Sequence, residues 1–355
     1  MRGNIENPIG SVQMPLGVAG PLQVNGDYAQ GRFYVPLATT EGALVRSYER
    51  GMLITARAGG VHTRVCEDEN CLVPVFRLSS LPEAHTFADS IEQRFEQIRA
   101  VADDTTNFGQ LLRIEPRIIG SRVYLRFCYD TADAHGMNMI TRATHAACEW
   151  ISAEFDLGRY QVITGMSSEK RASGTLFESR KGKRVVAQSI IPAEVLRTHL
   201  RVSPQSMMDM WHNTLVAQIH ANTVGYNGHF ANGLTALFVA CGQDVANVAN
   251  SSVGITSFDL TPDDELSISI TLPSLTVATV GGGTALGTSR ECLQMLDCFG
   301  SGKSKKLAEI CAATVLCGEL SMGAAIASGE FADAHQQYGR NHPGRNHPAP
   351  AETKS

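Results

Sequence analysis

The stretch SRVYLRFCYD (121–130) alternates apolar and polar side chains, so it reads as a strand with one buried face. After it, TADAHGMN (131–138) is a loop that enters a helical pattern near 138–156, and RYQVITG (159–165) is another short strand. Upstream, PVFRL (74–78) is an extended run after proline, and 85–104 is polar with a helical period. The order between about 74 and 163 is therefore β-α-β-α-β, the pattern of a small α+β module.

The flanks have a different texture. The first 40 residues carry proline and glycine at short spacing (NPIG, MPLGVAGPL), which predicts loops and short strands. A helix is expected from about Glu41 to Arg57, with Leu44, Tyr48 and Met52 on one stripe. Past 163, RVVAQSIIP (184–192) and ELSISITLP (265–273) are strand-like, 205–224 is helical, and GGG (281–283) breaks the chain. An Ala/Gly-rich helix runs from about Lys305 to Phe331. The fold class expected is α+β: a large mixed α/β domain with a long central helix, formed by 1–73 and 164–340, and a small domain inserted at 74–163. The tail 341–355 is Pro-rich and polar, the composition of a disordered segment.

Composition excludes several classes of function. The chain has 355 residues, 43% apolar, a net charge of −5 and a pI near 6.1, so nothing points to a nucleic-acid partner. The densest basic run, SRKGKR (179–184), reads as a solvated turn. No run approaches the roughly 18 apolar residues of a membrane segment, and the N-terminus lacks the apolar core of a secretory signal. Nine cysteines, an odd number with no C-x-x-C, fit reduced buried thiols in a cytoplasmic protein, with no metal site expected.

Five stretches concentrate polar groups: TTEG (39–42), DAHGMN (133–138), SSEKRAS (167–173), GYNGHFAN…ACGQD (225–244) and FADAHQQYGRN (331–341). Each has a bland reading. Glu41 suits the first turn of a helix. Asp244 follows a buried run and could cap a helix. Lys170 could be a solvated loop lysine, and His335 a cation near a helix end. Asn232 and His229 could satisfy turns or the core. Taken together, though, Glu, Lys, Asp and His are the set a carbonyl reduction needs. A lysine stabilises the oxyanion formed by hydride attack. A tuned carboxylate donates the proton, and a histidine protonates a leaving group.

The runs ENPIG…MPLGVAGPL, ATTEGALV, DAHGMNMI, GYNGHFAN, ACGQD, TVGGGT and GELSMGAAIASG occur in order over about 330 residues. They resemble the hallmark runs of the 3-hydroxy-3-methylglutaryl-coenzyme A (HMG-CoA) reductases, in the class that includes the eukaryotic and archaeal enzymes. The resemblance implies two NADPH-dependent hydride steps, from the HMG-CoA thioester through a hemithioacetal and mevaldehyde to mevalonate and free CoA. It implies Glu41 as proton donor, Lys170 as the group that polarises the reacting oxygen, Asp244 as their tuning partner and His335 as the acid that protonates departing CoA thiolate. Asn232, which in the family holds the lysine, and His229, Arg171 and Glu169 fall on the substrate side. Asp133, Gly136, Met137 and Asn138 match the cofactor-side motif, on a small ferredoxin-like domain instead of a Rossmann fold. A homodimer, or dimer of dimers, with shared active sites is also implied, while the family's N-terminal helical segment has no match in this sequence.

Some positions depart from the family. His135 replaces a methionine of the cofactor loop, and Asn107 stands where an arginine meets the 2′-phosphate, which leaves NADH open beside NADPH. Leu72 and His212 replace basic groups that clasp the HMG carboxylate. A reductase of a different short acyl-CoA, or a non-catalytic paralogue, are the alternatives. No serine follows Arg340, so the regulatory phosphoserine of some relatives is not expected.

Overall fold

In this computed structural model, which describes residues 3–178 and 181–329, the alternating stretch at 121–130 is one strand of a ten-stranded sheet. In chain order the elements are β1 (Leu16–Gly26), β2 (Gln30–Ala38), α1 (Leu44–Arg57), β3 (Val61–Leu72), β4 (Val75–Arg77), α2 (Leu81–Gln93), α3 (Phe95–Asp103), β5 (Gln110–Ile119), β6 (Arg122–Asp130), α4 (Met137–Glu154) and β7 (Tyr160–Gln161). They continue with β8 (Gly182–Ile191), α5 (Ala193–Leu200), α6 (Pro204–His220), α7 (Phe230–Ala240), α8 (Val248–Ser251), β9 (Ile255–Leu260), β10 (Leu266–Leu275), α9 (Gly287–Met295) and α10 (Ser304–Ala327). The expected α+β class stands.

Two cores form. One gathers Leu72, Phe76, Phe87, Phe127, Ile140 and Ile151 between the β4–β7 strands and α2, α3 and α4. Within it the strand order is β7-β4-β6-β5, every pair antiparallel, in the split βαβ arrangement. The other core joins Leu22, Val35, Tyr48 and Met52 from the start of the chain to Ile268, Leu293 and Leu316 from its end. β3 joins the two. Its first nine residues pair with β1 and β8, and its last three pair with β6.

α10 lies in the middle of the larger core, buried on nearly every side, as a helix apolar all round must be. By length and composition it could cross a membrane, which corrects the reading that no segment approaches that length; it is mostly buried as a core helix instead. Where α1 crosses α10, Gly51 meets the Cys317 carbonyl so closely that a Cβ would overlap it. Gly51→Ala is therefore expected to destabilise the fold by about 1–3 kcal/mol through overpacking, measured as a lowered denaturant midpoint; an unchanged midpoint would contradict this crossing.

Several expectations are corrected. The first 40 residues hold two long strands, not short ones. Residues 85–104 belong to two helices, α2 and α3. The strand at 159–165 shrinks to Tyr160–Gln161. The basic run is no solvated turn: Lys181 is 0% exposed and Lys183 is 3% exposed and bonded to Asp68 at 3.0 Å. Eight cysteines are buried and free, while Cys66 is exposed. His335 and the tail 341–355 lie outside the described residues.

Candidate active site

Glu41 does not cap a helix. α1 starts only at Leu44, after Ala43 has turned into the left-handed region (φ 71), and its first turn holds no acidic residue. Glu41 sits in the preceding turn, where its N–H donates to Thr39 Oγ1 at 3.0 Å. Its Oε2 accepts from the Asn232 side-chain amide at 3.1 Å, across 191 residues of chain. Both side chains, with Gly20, Tyr48 and His229, line a cleft of about 650 Å³.

His229 is fixed from behind. Its ring stacks on Tyr48 with centroids 5.7 Å apart, and its Nδ1 lies 2.8 Å from Glu319 Oε1. Glu319, on α10, is 2% exposed and also accepts the N–H groups of Gly228 and His229 and the Thr256 hydroxyl, each at 2.7 Å. Burial alone would raise its carboxyl pKa, but His229 and these donors hold it below the usual carboxylate range.

Lys170 occupies the left-handed region (φ 55) in the loop after β7. Its N–H donates to Asn250 Oδ1 at 3.2 Å, and the fully buried Asn250 amide donates onward to Ser274 and Thr276. The loop is thereby pinned to the end of β10. Lys170 Nζ reaches Asp244 Oδ2 at 2.7 Å, with the two side chains 45% and 39% exposed. Asp244 Oδ1 accepts the Ala246 N–H at 3.1 Å, so one oxygen caps a turn and the other holds the ammonium. An ion pair this exposed contributes at most about 1 kcal/mol to stability. Its geometry therefore calls for an explanation other than folding. Among the described residues no ion pair joins Glu41 to Lys170: the two pairs stand separately, and Asn232 bonds the glutamate, not the lysine.

The remaining substrate-side residues divide. Arg171 is exposed, with Nη1 on the Glu169 carbonyl at 2.9 Å. Glu169 turns inward. Its carboxylate oxygens are shielded from solvent, 2.5 Å from Lys181 Nζ and 3.2 Å from His135 Nε2. Burial opposes ionisation, yet those two partners bring its pKa down to about 2. Leu72 is 1% exposed in the smaller core, so it offers a ligand nothing, while His212 and Asn107 are exposed.

On the cofactor side, Asp133 accepts the N–H groups of Gly302 (2.6 Å) and Ser304 (3.0 Å), tying its loop to the start of α10. Although burial pushes the other way, these donors lower its pKa. Gly136 has φ 78, and a Cβ there would lie 2.6 Å from the Thr131 methyl, so glycine is required. Met137 opens α4, whose first turn has no side-chain cap, and Asn138 is exposed beside it. Those N–H groups suit a phosphate, which is the fit a dinucleotide would need.

Sequence reasoning missed Glu319, Lys181, Asn70 and Asn250. A carboxylate within the apolar GELSMGAAIASG run was a usable signal for Glu319, because an unpaired charge there would be prohibitive. Nothing local marked Lys181.

Together these features describe an α+β enzyme scaffold in which a loop lysine, held by an aspartate, and a glutamate, held by an asparagine, are set by residues far apart in sequence. The profile of the hydroxymethylglutaryl-coenzyme A reductase family matches residues 1–340, and the chain belongs to that family. It is 43% identical over 349 residues to the 3-hydroxy-3-methylglutaryl-coenzyme A reductase of Methanocaldococcus jannaschii, covering 96% of this chain and 85% of that protein. The enzyme of the same name from Xenopus laevis is 38% identical over 350 residues, which cover 95% of this chain and 39% of that longer protein. The fold is similar to a solved class II enzyme of Streptococcus pneumoniae bound to NADPH, with a TM-score of 0.76 at 19% identity, covering 91% of this chain and 87% of that one.

Proposed function

We propose that this chain reduces HMG-CoA to mevalonate and free CoA with two equivalents of NADPH. The observation that carries the reading is the half-exposed Lys170–Asp244 pair at 2.7 Å, which presents an ammonium to a reacting oxygen at little cost in folding energy. The bound nicotinamide supplies hydride in each step. Lys170 stabilises the oxyanion in each, and Asp244 holds its nitrogen in place. Glu41, oriented by Asn232, donates the proton, and His335 protonates the departing thiolate. Arg171 meets the carboxylate of the HMG group, and His229 lies along the acyl chain. Gly136, Met137 and the exposed Asn138 receive the cofactor at the start of α4, with Asp133 bracing their loop. The domain division is 1–73 with 164–340 for substrate and 74–163 for cofactor.

The active unit in this proposal is a cytoplasmic dimer whose sites are shared. The support is a segment before β1, outside helix and strand, with Ile9, Val12 and Met14 exposed, surface that a second copy would cover. A different short acyl-CoA is the second reading. Leu72, buried where the family has a basic group, favours it.

Oxidation of NADPH or NADH by the purified protein, followed at the nicotinamide absorbance with HMG-CoA and then with other short acyl-CoAs, decides between them. His335→Gln is expected to lose thioester reduction while sparing mevaldehyde reduction, because the aldehyde step expels no thiolate. Equal loss of both would remove His335 from that role.

A further inference from the structure

Lys181 is the most buried cation described, at 0% exposure, and the established reading of the site does not use it. Its ammonium has four neighbours: Glu169 Oε2 at 2.5 Å, Asn70 Oδ1 at 2.6 Å, the Cys71 carbonyl at 3.2 Å and Met137 Sδ at 3.5 Å. Glu169 passes the connection on to His135 Nε2 at 3.2 Å. Asn70 closes the circuit by donating to the His135 carbonyl at 2.6 Å. The His135 ring in turn lies 3.4 Å from the Asn247 amide, and Asn247 donates its N–H to the Asp244 carbonyl at 3.0 Å.

Four segments therefore meet at one buried point: the end of β3, the 133–138 loop, the Lys170 loop and the turn after Asp244. Glu169 is bonded to Lys170 through a single peptide, and Lys170 sits in a backbone region that L side chains rarely adopt. Something must hold that backbone. A buried ion pair is a poor way to gain stability, since apolar residues of equal volume often do as well. What a buried pair does well is fix one geometry, and here the fixed residue adjoins the ammonium of the site.

We propose that Lys181, Glu169 and His135 form a positioning relay that holds Lys170 on Asp244 and couples it to the 133–138 loop. None of the three need touch substrate. The inference rests on Lys170 being the oxyanion-stabilising group.

The test uses Lys181→Met, Lys181→Met with Glu169→Gln, and Lys181→Arg. The single Met variant leaves a buried carboxylate without its cation and is expected to unfold at lower denaturant. The double variant removes both charges and is expected to regain the wild-type midpoint. Its kcat should nonetheless stay about 10–100-fold down, since an ångström of misplacement costs that much, while KM for the acyl-CoA moves little. Lys181→Arg should recover part of that kcat. An amine-acylating reagent applied without ligands, with peptides read by mass spectrometry, should label Lys170 several-fold faster in the double variant than in wild type. His135→Ala, which removes one partner of Glu169 but leaves the Lys181–Glu169 pair in place, should shift labelling in the same direction. Wild-type kcat and wild-type labelling in the double variant would reduce the relay to a folding element and overturn the proposal. If the wild-type protein turned over no acyl-CoA, the functional reading would fall, and the labelling would still decide whether the relay sets Lys170.

Discussion

Lys170→Ala is expected to lower kcat by about 10³-fold or more while the protein stays folded. One oxyanion donor is typically worth about 10²–10³ in rate, and a charged donor is the stronger kind. The same ammonium serves both hydride steps, so neither escapes the loss. Stability should change by less than about 1 kcal/mol, because the Lys170–Asp244 pair is nearly half exposed and the stranded aspartate can hydrate. Alanine, not glycine, is the replacement to use: at φ 55 a glycine would relax the backbone and confuse the comparison. Lys170→Arg should recover little, since a planar fork does not replace a point charge on a flexible stem. Single-turnover oxidation of NADPH with HMG-CoA, beside a denaturant melt, measures both quantities. A variant within tenfold of wild type would remove Lys170 from the reaction.

The parts of this molecule that were legible are those where one element faces one core. The stripe Leu44, Tyr48, Met52 on α1 is buried as its period demands, and β10 alternates buried and half-buried residues over its first six positions. β6 is the strand that its alternating sequence predicts, but the single buried face expected for it is corrected: Arg126 and Cys128 are buried along with Leu125, Phe127 and Tyr129, so both faces are covered at its centre. β3 was illegible for the opposite reason. VHTRVCEDENCL runs through both halves of the one sheet, and its acids are taken up by cations from elsewhere: Glu67 by Arg184, Asp68 by Lys183, Glu69 by Arg113. β5 was missed because it is an edge strand. Among the described residues it pairs only with β6 and so tolerates Pro116 and a mixed pattern. At the site, residue type was legible and placement was not. Glu41 was visible as an acid near a helix, yet its partner Asn232 lies 191 residues away. The resemblance alone puts Glu169 on the substrate side, and the lysine that takes its carboxylate indoors sits in a run that reads as surface.

Glu319→Ala is expected to be the most damaging single change to the fold around the cleft. The substitution would strand the His229 ring, two backbone N–H groups and the Thr256 hydroxyl in a site with almost no access to water. Breaking a buried charge network of this kind costs about 3–5 kcal/mol. Glu319→Gln keeps the shape and one acceptor, and should cost less. The pH dependence has a defined sign. The folded carboxyl is held below its unfolded value, despite burial, so its contribution is present above the unfolded pKa of about 4.3 and is lost as pH falls through the folded one. Denaturant midpoints should therefore show the deficit of Glu319→Gln in full near neutrality and narrowing as pH drops below about 4. Glu169 titrates in the same window and is common to both proteins, so the difference between them isolates Glu319. His229 would lose its anchor as well, and with it the wall of the cleft beside Glu41, so turnover should fall along with stability. A midpoint unchanged by Glu319→Ala would mean that the 228–230 turn is held by something other than this carboxylate.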